Sequence, residues 1–405
     1  MHVALRTGSF EISHTPLPLC RWRRCPHVRL DVKACVHAAF VAIAACVPAA
    51  GVAAEPFMGS YANFHQWFAT ADSPSIREAK IAAQLDGFKA AGLRVVMPCV
   101  LTTSNVAFYP SKRVPNAYFG EWDGLEVLMR LARQRGLKVY PWIAVMNSGN
   151  ERPKGVLAEH PEWALRDEAG QPTGFISPGH PRARDHVVGV ITEVVERYRP
   201  DGILLDYLRY QTDEMRLDAV SEAEFDRLHP VDRLPRSGTA YRQADWAFKR
   251  QLLTELVGRI SGEVRKLAPG MPIGIYMWHA GERKYTRDWT AWVDQGYIDQ
   301  IHLRAYFYRK NEGERYLERL EEHFRVFLDV ASVLRRPVDV MMTVGISTTY
   351  DSIRSAEEID DYLDVGRAVG VKGASFFTWE PLVPFLDDVK RERMFEEFTT
   401  AATGR

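Results

Sequence analysis

The chain has 405 residues and a mass of 46.1 kDa, and its 52 basic side chains balance 52 acidic ones at a formal net charge of zero. Hydrophobic residues make up 46 % and charged residues 26 %, which excludes a disordered chain, since such chains combine few apolar residues with a large charge imbalance. The charge balance also disfavours a dedicated nucleic-acid binder, which needs an excess of Lys and Arg for phosphate contacts. The length allows two or three domains of roughly 150 residues, although a single α/β barrel also fills such a chain.

The first 54 residues have the features of a targeting segment. Five Arg and Lys residues lie within 20–33, and a nearly uncharged stretch rich in Ala and Val follows at 34–54. That stretch ends in Val52-Ala53-Ala54, which places small residues where signal peptidase cuts. The pattern predicts a signal peptide with an N-terminal extension at 1–54, one globular domain at 55–405, and export to the periplasm or the exterior.

Two other interpretations of this segment stay open. An uncleaved membrane anchor is disfavoured because Pro48 and Gly51 interrupt a run that would need ~20 firmly apolar residues. The stretch Ile43-Ala44-Ala45-Cys46 also fits a lipoprotein cleavage box, which would leave a lipid anchor on Cys46. The mature chain is therefore predicted to lack a transmembrane domain and to be either soluble or lipid-anchored.

Cysteine usage fits an exported protein without disulfides. Four of the five cysteines lie in the leader, so the mature chain keeps Cys99 alone, in an apolar stretch that predicts a buried structural thiol. His and Cys do not cluster at the spacing of metal ligands, so neither a metal nor another cofactor is expected. Loss of the leader removes six basic and two acidic residues, which leaves 46 and 50 and makes the mature chain mildly acidic.

From residue 56 onward, short apolar runs alternate with amphipathic segments. Most of the runs lack polar/apolar alternation, which is typical of strands covered on both faces of a parallel sheet. Eight such strands are predicted at 58–64, 94–101, 138–145, 202–208, 272–278, 300–307, 338–346 and 372–379. Eight helices are predicted at 76–91, 124–135, 183–198, 244–267, 289–295, 315–334, 356–369 and 383–402.

This order predicts the α/β fold class, as a single (β/α)8 TIM barrel. A doubly wound open sheet is the alternative, but it would carry a Gly-rich phosphate turn after an early strand, which the sequence lacks. Long βα loops follow the second, third and fourth strands, at 102–122, 146–182 and 211–243. In a TIM barrel these loops lie at the C-terminal face, where substrates bind.

Carboxylates at the ends of strands are the first candidates for chemistry. Asp206 follows three aliphatic residues of the fourth strand, where a carboxylate without donors would be costly. A structural salt bridge to Arg209 or Arg304 is the alternative for Asp206. By contrast, Asp201 and Asp299 begin strands and are predicted at the opposite, structural face.

The second candidate carboxylate is Glu380, which directly follows the eighth strand, or Glu282, which follows the fifth. A surface Glu in the turn before the last helix is the alternative for Glu380. Polar and aromatic residues at the strand exits complete the mouth of the barrel as candidate substrate-binding residues: Tyr61, His65, Trp142, Arg209, Tyr210, Tyr276, Trp278, His279, Arg304, Tyr306 and Trp379.

This combination indicates glycoside hydrolysis. The reaction needs two carboxylates, one to protonate the leaving oxygen and one to act as nucleophile or to activate water. Sugar rings pack on Trp and Tyr, while their hydroxyls bind polar side chains. A serine hydrolase is disfavoured because Gly-x-Ser-x-Gly is absent, a nucleoside triphosphatase because a P-loop is absent, and an aldolase because Lys138 and Lys372 sit at strand starts.

Several segments resemble the glycosyl-hydrolase-like family 10 of exported hydrolases. PDGILLDYLRY at 200–210 is similar to the family's fourth-strand signature, and the similarity covers essentially residues 56–400. Further matching segments are HPEW at 160–163, SPGHP at 177–181, DW at 245–246 with Arg250, PG at 269–270, IGI at 273–275, DW at 288–289, Trp292, Gly296, Asp299, AY at 305–306 and GASFF at 373–377.

The resemblance implies a TIM barrel and cleavage of carbohydrate, and it places the first signature Asp at Asp206. Many members carry a second Asp beside it, where this chain has Tyr207, so a partner carboxylate must come from elsewhere. The preferred hypothesis is an exported glycoside hydrolase, with Asp206 as nucleophile or base, Glu380 as general acid and Glu282 in reserve. The rival hypothesis is a non-catalytic carbohydrate-binding barrel in an envelope or polysaccharide assembly. A polysaccharide deacetylase is disfavoured because no His and Asp metal triad is evident.

Overall fold

The computed structural model describes residues 56–116, 120–281 and 285–403. The predicted leader, with the lipid-anchor candidate Cys46, lies outside these residues. So does the loop segment that carries Glu282. Among the described helices, none combines the length and apolarity needed to cross a membrane.

Twelve strands are described, of which nine form the barrel. In chain order they are β1 Phe57–Ala62, β2 Val95–Leu101, β3 Lys138–Val139, β4 Trp142–Ala144, β5 Asn147–Asn150, β6 Ala164–Arg166, β7 Pro172–Ile176, β8 Ile203–Asp206, β9 Ile273–Met277, β10 Gln300–Ala305, β11 Asp339–Gly345 and β12 Gly373–Phe377.

The helices of the described residues follow the strands. They are α1 Pro74–Ala90, α2 Gly124–Gln134, α3 Val156–Glu159, α4 Pro181–Tyr198, α5 Ala219–Leu228, α6 Gly238–Leu267, α7 Trp289–Asp294, α8 Arg309–Glu312, α9 Tyr316–Ser332, α10 Ala356–Val369, α11 Trp379–Leu382, α12 Leu386–Arg391 and α13 Met394–Thr403. Short 3-10 turns lie at Phe64–Gln66, Pro161–Trp163, Gly313–Arg315 and Val383–Phe385.

All neighbouring strands of the large sheet are parallel, and the sheet closes on itself because β1 pairs with both β2 and β12. The predicted third strand is divided into β3 and β4, since Pro141 lies between them and proline cannot donate to a ladder. Counted as one, these two pieces give eight strands. The (β/α)8 barrel predicted from the sequence is thereby confirmed.

Two of the predicted helices differ from the structure. The helix predicted at 383–402 is divided into a 3-10 turn, α12 and α13, because Pro384 lies at its start and Arg393 has a left-handed φ of 54° between α12 and α13. Helix α6 begins at Gly238, six residues before its predicted start at 244. Most of its first turns are exposed, so they lack the apolar periodicity that marks a helix in a sequence.

Two of the three long loops carry helices or strands that the sequence pattern did not predict. The loop after β4 folds into a small antiparallel sheet in the order β5-β7-β6, and the loop after β8 contains α5. An isolated bridge between Arg166 and Arg216 joins these two loops. The outgoing loops of the third and fourth barrel strands therefore form one connected rim at the C-terminal face.

The hydrophobic core has a layer inside the barrel and a layer outside it. The inner cluster is small and consists of Phe57, Tyr61, Val95, Met97, Tyr140, Leu204 and Met341. The outer cluster is far larger, and it fills the space between the strands and the ring of helices. The strands alternate between the two because successive side chains point to opposite faces.

Candidate functional site

Asp206 lies at the mouth of the barrel, at the carboxyl end of β8. It is two residues after Leu204, which belongs to the inner cluster, so its side chain also points into the barrel. Trp142 and Phe377 pack on the same cluster from the ends of the third and eighth barrel strands. The mouth therefore presents a carboxylate surrounded by aromatic rings.

Both carboxylate oxygens of Asp206 accept hydrogen bonds. Trp142 Nε1 donates to Oδ2 over 3.1 Å, and the backbone N–H of Tyr207 donates to Oδ1 over 2.7 Å. The second bond accompanies a left-handed backbone at Tyr207, whose φ of 54° turns the chain out of the strand. A bulky residue adopts this conformation only where its surroundings hold it, which is a frequent feature of functional sites.

Burial raises the pKa of Asp206 above its ordinary value of 3.8. The hydrogen bonds from Tyr207 and Trp142 and the positive charges of Arg209 and Arg287 act in the opposite direction but do not cancel the effect of burial. Removal from water disfavours the charged form of a carboxyl group. A carboxyl group with a raised pKa in a cleft is suited to exchanging a proton with a ligand.

Four of the predicted substrate-binding residues meet around this carboxylate. The rings of Tyr61, Trp142 and Phe377 contact one another edge to face, with centroid distances of 5.3, 5.3 and 5.6 Å. Tyr306 lies 6.0 Å from Phe377 and 6.4 Å from Tyr276. These residues come from five of the eight barrel strands or from their ends, so only closure of the sheet brings them together.

Arginine side chains continue the mouth beside Trp278. The guanidinium of Arg304 lies 5.0 Å from the Trp278 ring, and that of Arg209 lies 5.9 Å from it. Arg209 also stacks on Tyr285 at 4.7 Å, and Arg304 on Tyr350 at 5.6 Å. The predicted group of Arg209, Trp278 and Arg304 is thus assembled as one cation–aromatic cluster.

Glu380 follows β12 and holds the end of the first strand in place. Its Oε1 accepts hydrogen bonds from the backbone N–H of Asn63 and from Trp67 Nε1, each over 2.9 Å. Its Oε2 is enclosed and has no hydrogen-bond partner within the described part of the chain. By accepting these hydrogen bonds, Glu380 connects the segment after the last strand to the segment after the first strand.

Asp206 and Glu380 both affect the pKa of the buried Cys99 thiol. Burial is the main reason that the pKa of Cys99 rises to about 12, and the charges of Asp206 and Glu380 raise it further. Cys99 lies on β2, between the strands that carry the two carboxylates. The Cys99 thiol is buried, as predicted.

His65 and His279 lie at the rim of the mouth. The His65 ring stacks on Phe108 at 3.8 Å, and burial lowers its pKa to about 4, so this imidazole is neutral at physiological pH. His279 is partly exposed, and its ring centroid lies 6.4 Å from that of Tyr285 in the loop after β9.

Two predicted substrate-binding residues do not line the mouth. Trp379 is 1 % exposed, stacks on Phe88 of α1 at 4.1 Å and donates from Nε1 to Gln84 Oε1 over 2.7 Å, so it belongs to the layer between strands and helices. Tyr210 is fully buried beneath the loop that follows β8. Burial is the main reason that its pKa is raised, and the charges of Asp245 and Asp218 raise it further. The left-handed turn at Tyr207 breaks the strand geometry, so Tyr210 cannot be placed by extrapolating the strand's alternation.

Two residues of the mouth were missed from the sequence. Phe377 stands two residues after Ser375 in the eighth apolar run, and the alternation of a strand could have assigned it to the barrel interior. No sequence pattern assigned Arg287 to the mouth. Its Nε donates to the backbone oxygen of Leu208 over 3.2 Å and its Nη1 to that of Tyr276 over 2.8 Å, which ties the ends of the fourth and fifth strands together.

Some residues of the family-like segments have structural roles. Asp288 caps α7 through Ala291 N and forms an ion pair with Arg250, and Asp245 pairs with Lys249 at 2.6 Å. Asp201 and Asp299 lie at the N-terminal end of the barrel, as the sequence predicted. Asp201 accepts from Val139 N.

A cavity of about 1080 Å³ lies at the opposite, N-terminal end of the barrel. Its lining includes the strand starts Phe57, Val95, Gln300, Asp339 and Lys372. Barrel enzymes place their chemistry at the C-terminal ends of strands, so we assign the candidate site to the mouth around Asp206 rather than to this cavity. Among the described residues, no group of three His, Cys, Asp or Glu side chains could hold a metal ion.

Comparison with known proteins identifies the family. The sequence profile described as Glycosyl hydrolase-like 10 matches residues 65–360. The chain belongs to this family. It is 24 % identical over 283 residues to the glycosyl hydrolase DigH of Escherichia coli, a match that covers 60 % of this chain and 61 % of DigH. The chain therefore spans less than two thirds of this relative.

Solved structures of low sequence identity share the fold. The PgaB (BpsB) glycoside hydrolase domain of Bordetella bronchiseptica superposes with a TM-score of 0.63 at 13 % identity, covering 83 % of this chain and 98 % of that domain. A β-galactosidase from Rahnella gives a TM-score of 0.63 at 12 % identity, covering 88 % of this chain and 58 % of that one. The barrel is therefore one that glycosidases use, and the resemblance found in the sequence is confirmed at the level of family and fold.

Proposed function

We propose that this protein hydrolyses O-glycosidic bonds in a polysaccharide or cell-envelope glycan, with Asp206 as the essential carboxylate. The observation that carries the proposal is the position of Asp206, at the inner end of the fourth strand, in contact with Trp142 and with a raised pKa. Family membership supports the same class of reaction. Neither the position of Asp206 nor the family membership specifies which glycan is cleaved.

Asp206 is better suited to donating a proton than to acting as nucleophile, which reverses the roles expected from the sequence. Its raised pKa keeps the protonated form accessible nearer to neutral pH, which general acid catalysis of leaving-group departure requires. Glu380 accepts two N–H groups on Oε1, so that oxygen already binds protein donors. We therefore assign Asp206 as general acid and retain Glu380 and Glu282 as alternatives for the partner carboxylate.

The aromatic mouth supports a carbohydrate as the ligand. Tyr61, Trp142 and Phe377 form a wall of ring edges and faces next to Asp206. Trp278 and Tyr306 extend this wall toward the fifth and sixth strands. Rings that have an apolar face and a polar edge suit a ligand with the same two properties.

The test is a hydrolysis assay on exopolysaccharide and peptidoglycan fragments with three carboxamide variants, Asp206→Asn, Glu380→Gln and Glu282→Gln. We expect Asp206→Asn to lower the rate about 10²- to 10⁴-fold, the usual contribution of a general acid. A similar loss in one of the two Glu variants, but not in the other, would identify the partner carboxylate. Wild-type rates in Asp206→Asn would refute the assignment.

A non-catalytic carbohydrate-binding barrel is the second candidate function. It is favoured by Tyr207, which stands where the resemblance implies a second Asp, and by the two donors already bound to Glu380 Oε1. In this case the wild-type protein would bind oligosaccharides, as measured by calorimetry, and would release no reducing ends from any of them.

We also propose that the protein is exported, on the basis of the leader predicted at 1–54. N-terminal sequencing of protein isolated from the cell envelope tests this. A mature chain that starts at Glu55 would indicate cleavage after Ala54, and one that starts at a lipid-modified Cys46 would indicate a lipoprotein. A chain that retains residues 1–54 inside the cell would contradict export.

A further inference from the structure

Among the described residues, the guanidinium of Arg304 has no acidic partner in the mouth. Arg304 lies on β10, two residues after the fully buried His302, so it points into the barrel as His302 does. No carboxylate in the described part of the chain forms an ion pair with it. Its Nε atom is shielded from solvent and has no hydrogen-bond partner among the described residues.

Its immediate neighbours are aromatic and hold the guanidinium through their ring faces. Trp278, Tyr350, Phe307 and Tyr306 lie 5.0, 5.6, 5.8 and 5.9 Å from its central carbon. Stacking orients the plane of the guanidinium but leaves its N–H groups available for a ligand in that plane. The Nε–H donor of this guanidinium therefore has no acceptor among the described residues.

The nearby cations are occupied by their own loops. Arg209 donates to the backbone oxygen of Tyr210 and, over 2.8 Å, to Gln211 Oε1. Arg287 is buried and donates to two backbone oxygens at strand ends. Within the described part of the chain, Arg209 and Arg287 are therefore bound to backbone and side-chain oxygens of their own loops, whereas Arg304 Nε has no partner.

Arg304 is close to the proposed reaction centre. Burial raises the pKa of Tyr306, the charge of Asp206 raises it further, and the charge of Arg304 lowers it. A chain of ring contacts connects the two groups: the guanidinium lies 5.9 Å from the Tyr306 ring, which lies 6.0 Å from Phe377. Phe377 contacts Trp142, the donor to Asp206. A ligand that extends along these rings would contact both Arg304 and Asp206.

We propose that the glycan recognised by this mouth carries a carboxylate, which Arg304 binds through two parallel N–H groups while Trp278 packs against the same residue of the ligand. Planar, bidentate recognition of a carboxylate is the geometry for which arginine is suited. The carboxylate could belong to a uronic acid or to the lactyl ether of an amino sugar. The inference rests on the proposed carbohydrate function and specifies its class of substrate.

The test compares acidic oligosaccharides with their carboxyl-reduced, neutral counterparts by isothermal titration calorimetry. Oligouronates and peptidoglycan glycan strands are the two acidic probes, and they distinguish the two sources of the carboxylate. We expect the wild-type protein to bind one acidic probe at least about 10-fold more tightly than its neutral counterpart, as expected for a charge-assisted hydrogen bond. This preference should weaken as ionic strength rises.

The decisive variants are Arg304→Gln and Arg304→Lys, with Arg325→Gln as the matched control. Arg304→Gln should bind acidic and neutral probes equally, while Arg304→Lys, which keeps the charge and loses the fork, should keep part of the preference. Arg325 lies on α9, is exposed and pairs with Glu321, so its replacement should leave the preference unchanged. Arg304→Lys also shows whether any loss in Arg304→Gln comes from misfolding.

The outcomes separate this inference from the proposed hydrolysis. A preference for the acidic probe that depends on Arg304, without release of reducing ends, supports the inference and contradicts the hydrolase. Equal binding of acidic and neutral probes by the wild-type protein overturns the inference, even if neutral glycans are hydrolysed. A preference that persists in Arg304→Gln also overturns it.

Discussion

The two ends of the barrel use aspartate in opposite ways. At the N-terminal end, Asp299 accepts hydrogen bonds from Arg265 at 3.0 Å and from Ile273 N at 2.9 Å. Asp201 accepts from Val139 N at 2.9 Å. At the C-terminal end, Asp206 lies among aromatic rings, and burial raises its pKa. The carboxylates at the base join neighbouring strands, whereas the one at the mouth is kept partly desolvated, a condition that a purely structural role does not require.

Cavity size alone would favour the end of the barrel opposite to the proposed site. The cavity of about 1080 Å³ lies at the base, where the strand starts and their loops leave a wide opening. Position at the carboxyl ends of the strands, rather than cavity volume, is the reason to expect chemistry at the mouth.

The largest effect should be the contrast in activity between Asp206→Asn and Asp299→Asn. We expect Asp206→Asn to lose about 10²- to 10⁴-fold in the rate of glycan hydrolysis. Asp299→Asn should keep near wild-type kcat, because it lies at the other end of the barrel. Steady-state kinetics of both purified variants checks this, and a comparable loss of kcat in both would remove the distinction between the two ends.

Stability should show the reverse order. Asp299→Asn removes the ion pair to Arg265 and weakens the bond from Ile273 N, so we expect a loss of about 1–3 kcal/mol in the free energy of unfolding. Urea denaturation monitored by circular dichroism measures it. An unchanged midpoint would show that the base carboxylates are not needed to hold the strands together.

The base of the barrel interior should tolerate no added volume at Gly202. A Cβ there would lie 2.2 Å from the Tyr140 ring, so Gly202→Ala should destabilise the fold by about 1–3 kcal/mol. Gly262→Ala on α6 is the control, because its Cβ meets nothing within 4 Å and should be neutral or stabilising. Equal midpoints for the two variants would contradict the described packing.

Asp206→Asn should raise stability at neutral pH. Because the pKa of Asp206 is higher in the folded protein than its ordinary value of 3.8, its contribution to stability is present below that value and is lost as pH rises through the folded pKa. The variant should therefore melt a few degrees higher at pH 7, about 2–4 °C per kcal/mol gained, with no advantage near pH 3. A lower Tm at pH 7 would mean that the hydrogen bonds from Trp142 and Tyr207 stabilise the charged form of Asp206 more than burial destabilises it.

The smallest expected effect is on the pH profile of Trp142→Phe. Loss of the Nε1 donor removes a hydrogen bond that lowers the pKa of Asp206, so the pKa should rise further. If Asp206 is the general acid, the alkaline limb of kcat/KM should shift upward by less than about one pH unit. A downward shift would contradict the assignment of Asp206 as the acid.

The barrel was predictable from sequence, and the end at which its site is expected follows from the fold. Apolar runs alternating with amphipathic helices determine a parallel sheet covered on both faces, and closure follows from eight of them. The positions of Asp206 and Trp142 could be predicted as well, because a residue at the end of a strand has its direction set by alternation. Trp379 could not be placed, since it lies beyond its strand in α11, where strand alternation no longer applies.

The sequence by itself therefore determined the fold class, the family and the strand that carries the candidate carboxylate, since these depend on local periodicity and a contiguous signature. Only the tertiary structure decided which side chains share the mouth. The pairing of Arg304 with Trp278, the two donors on Glu380 and the burial of Tyr210 all arise between residues far apart in the chain. Such contacts depend on sheet closure and on turns such as that at Tyr207, which a one-dimensional pattern does not encode.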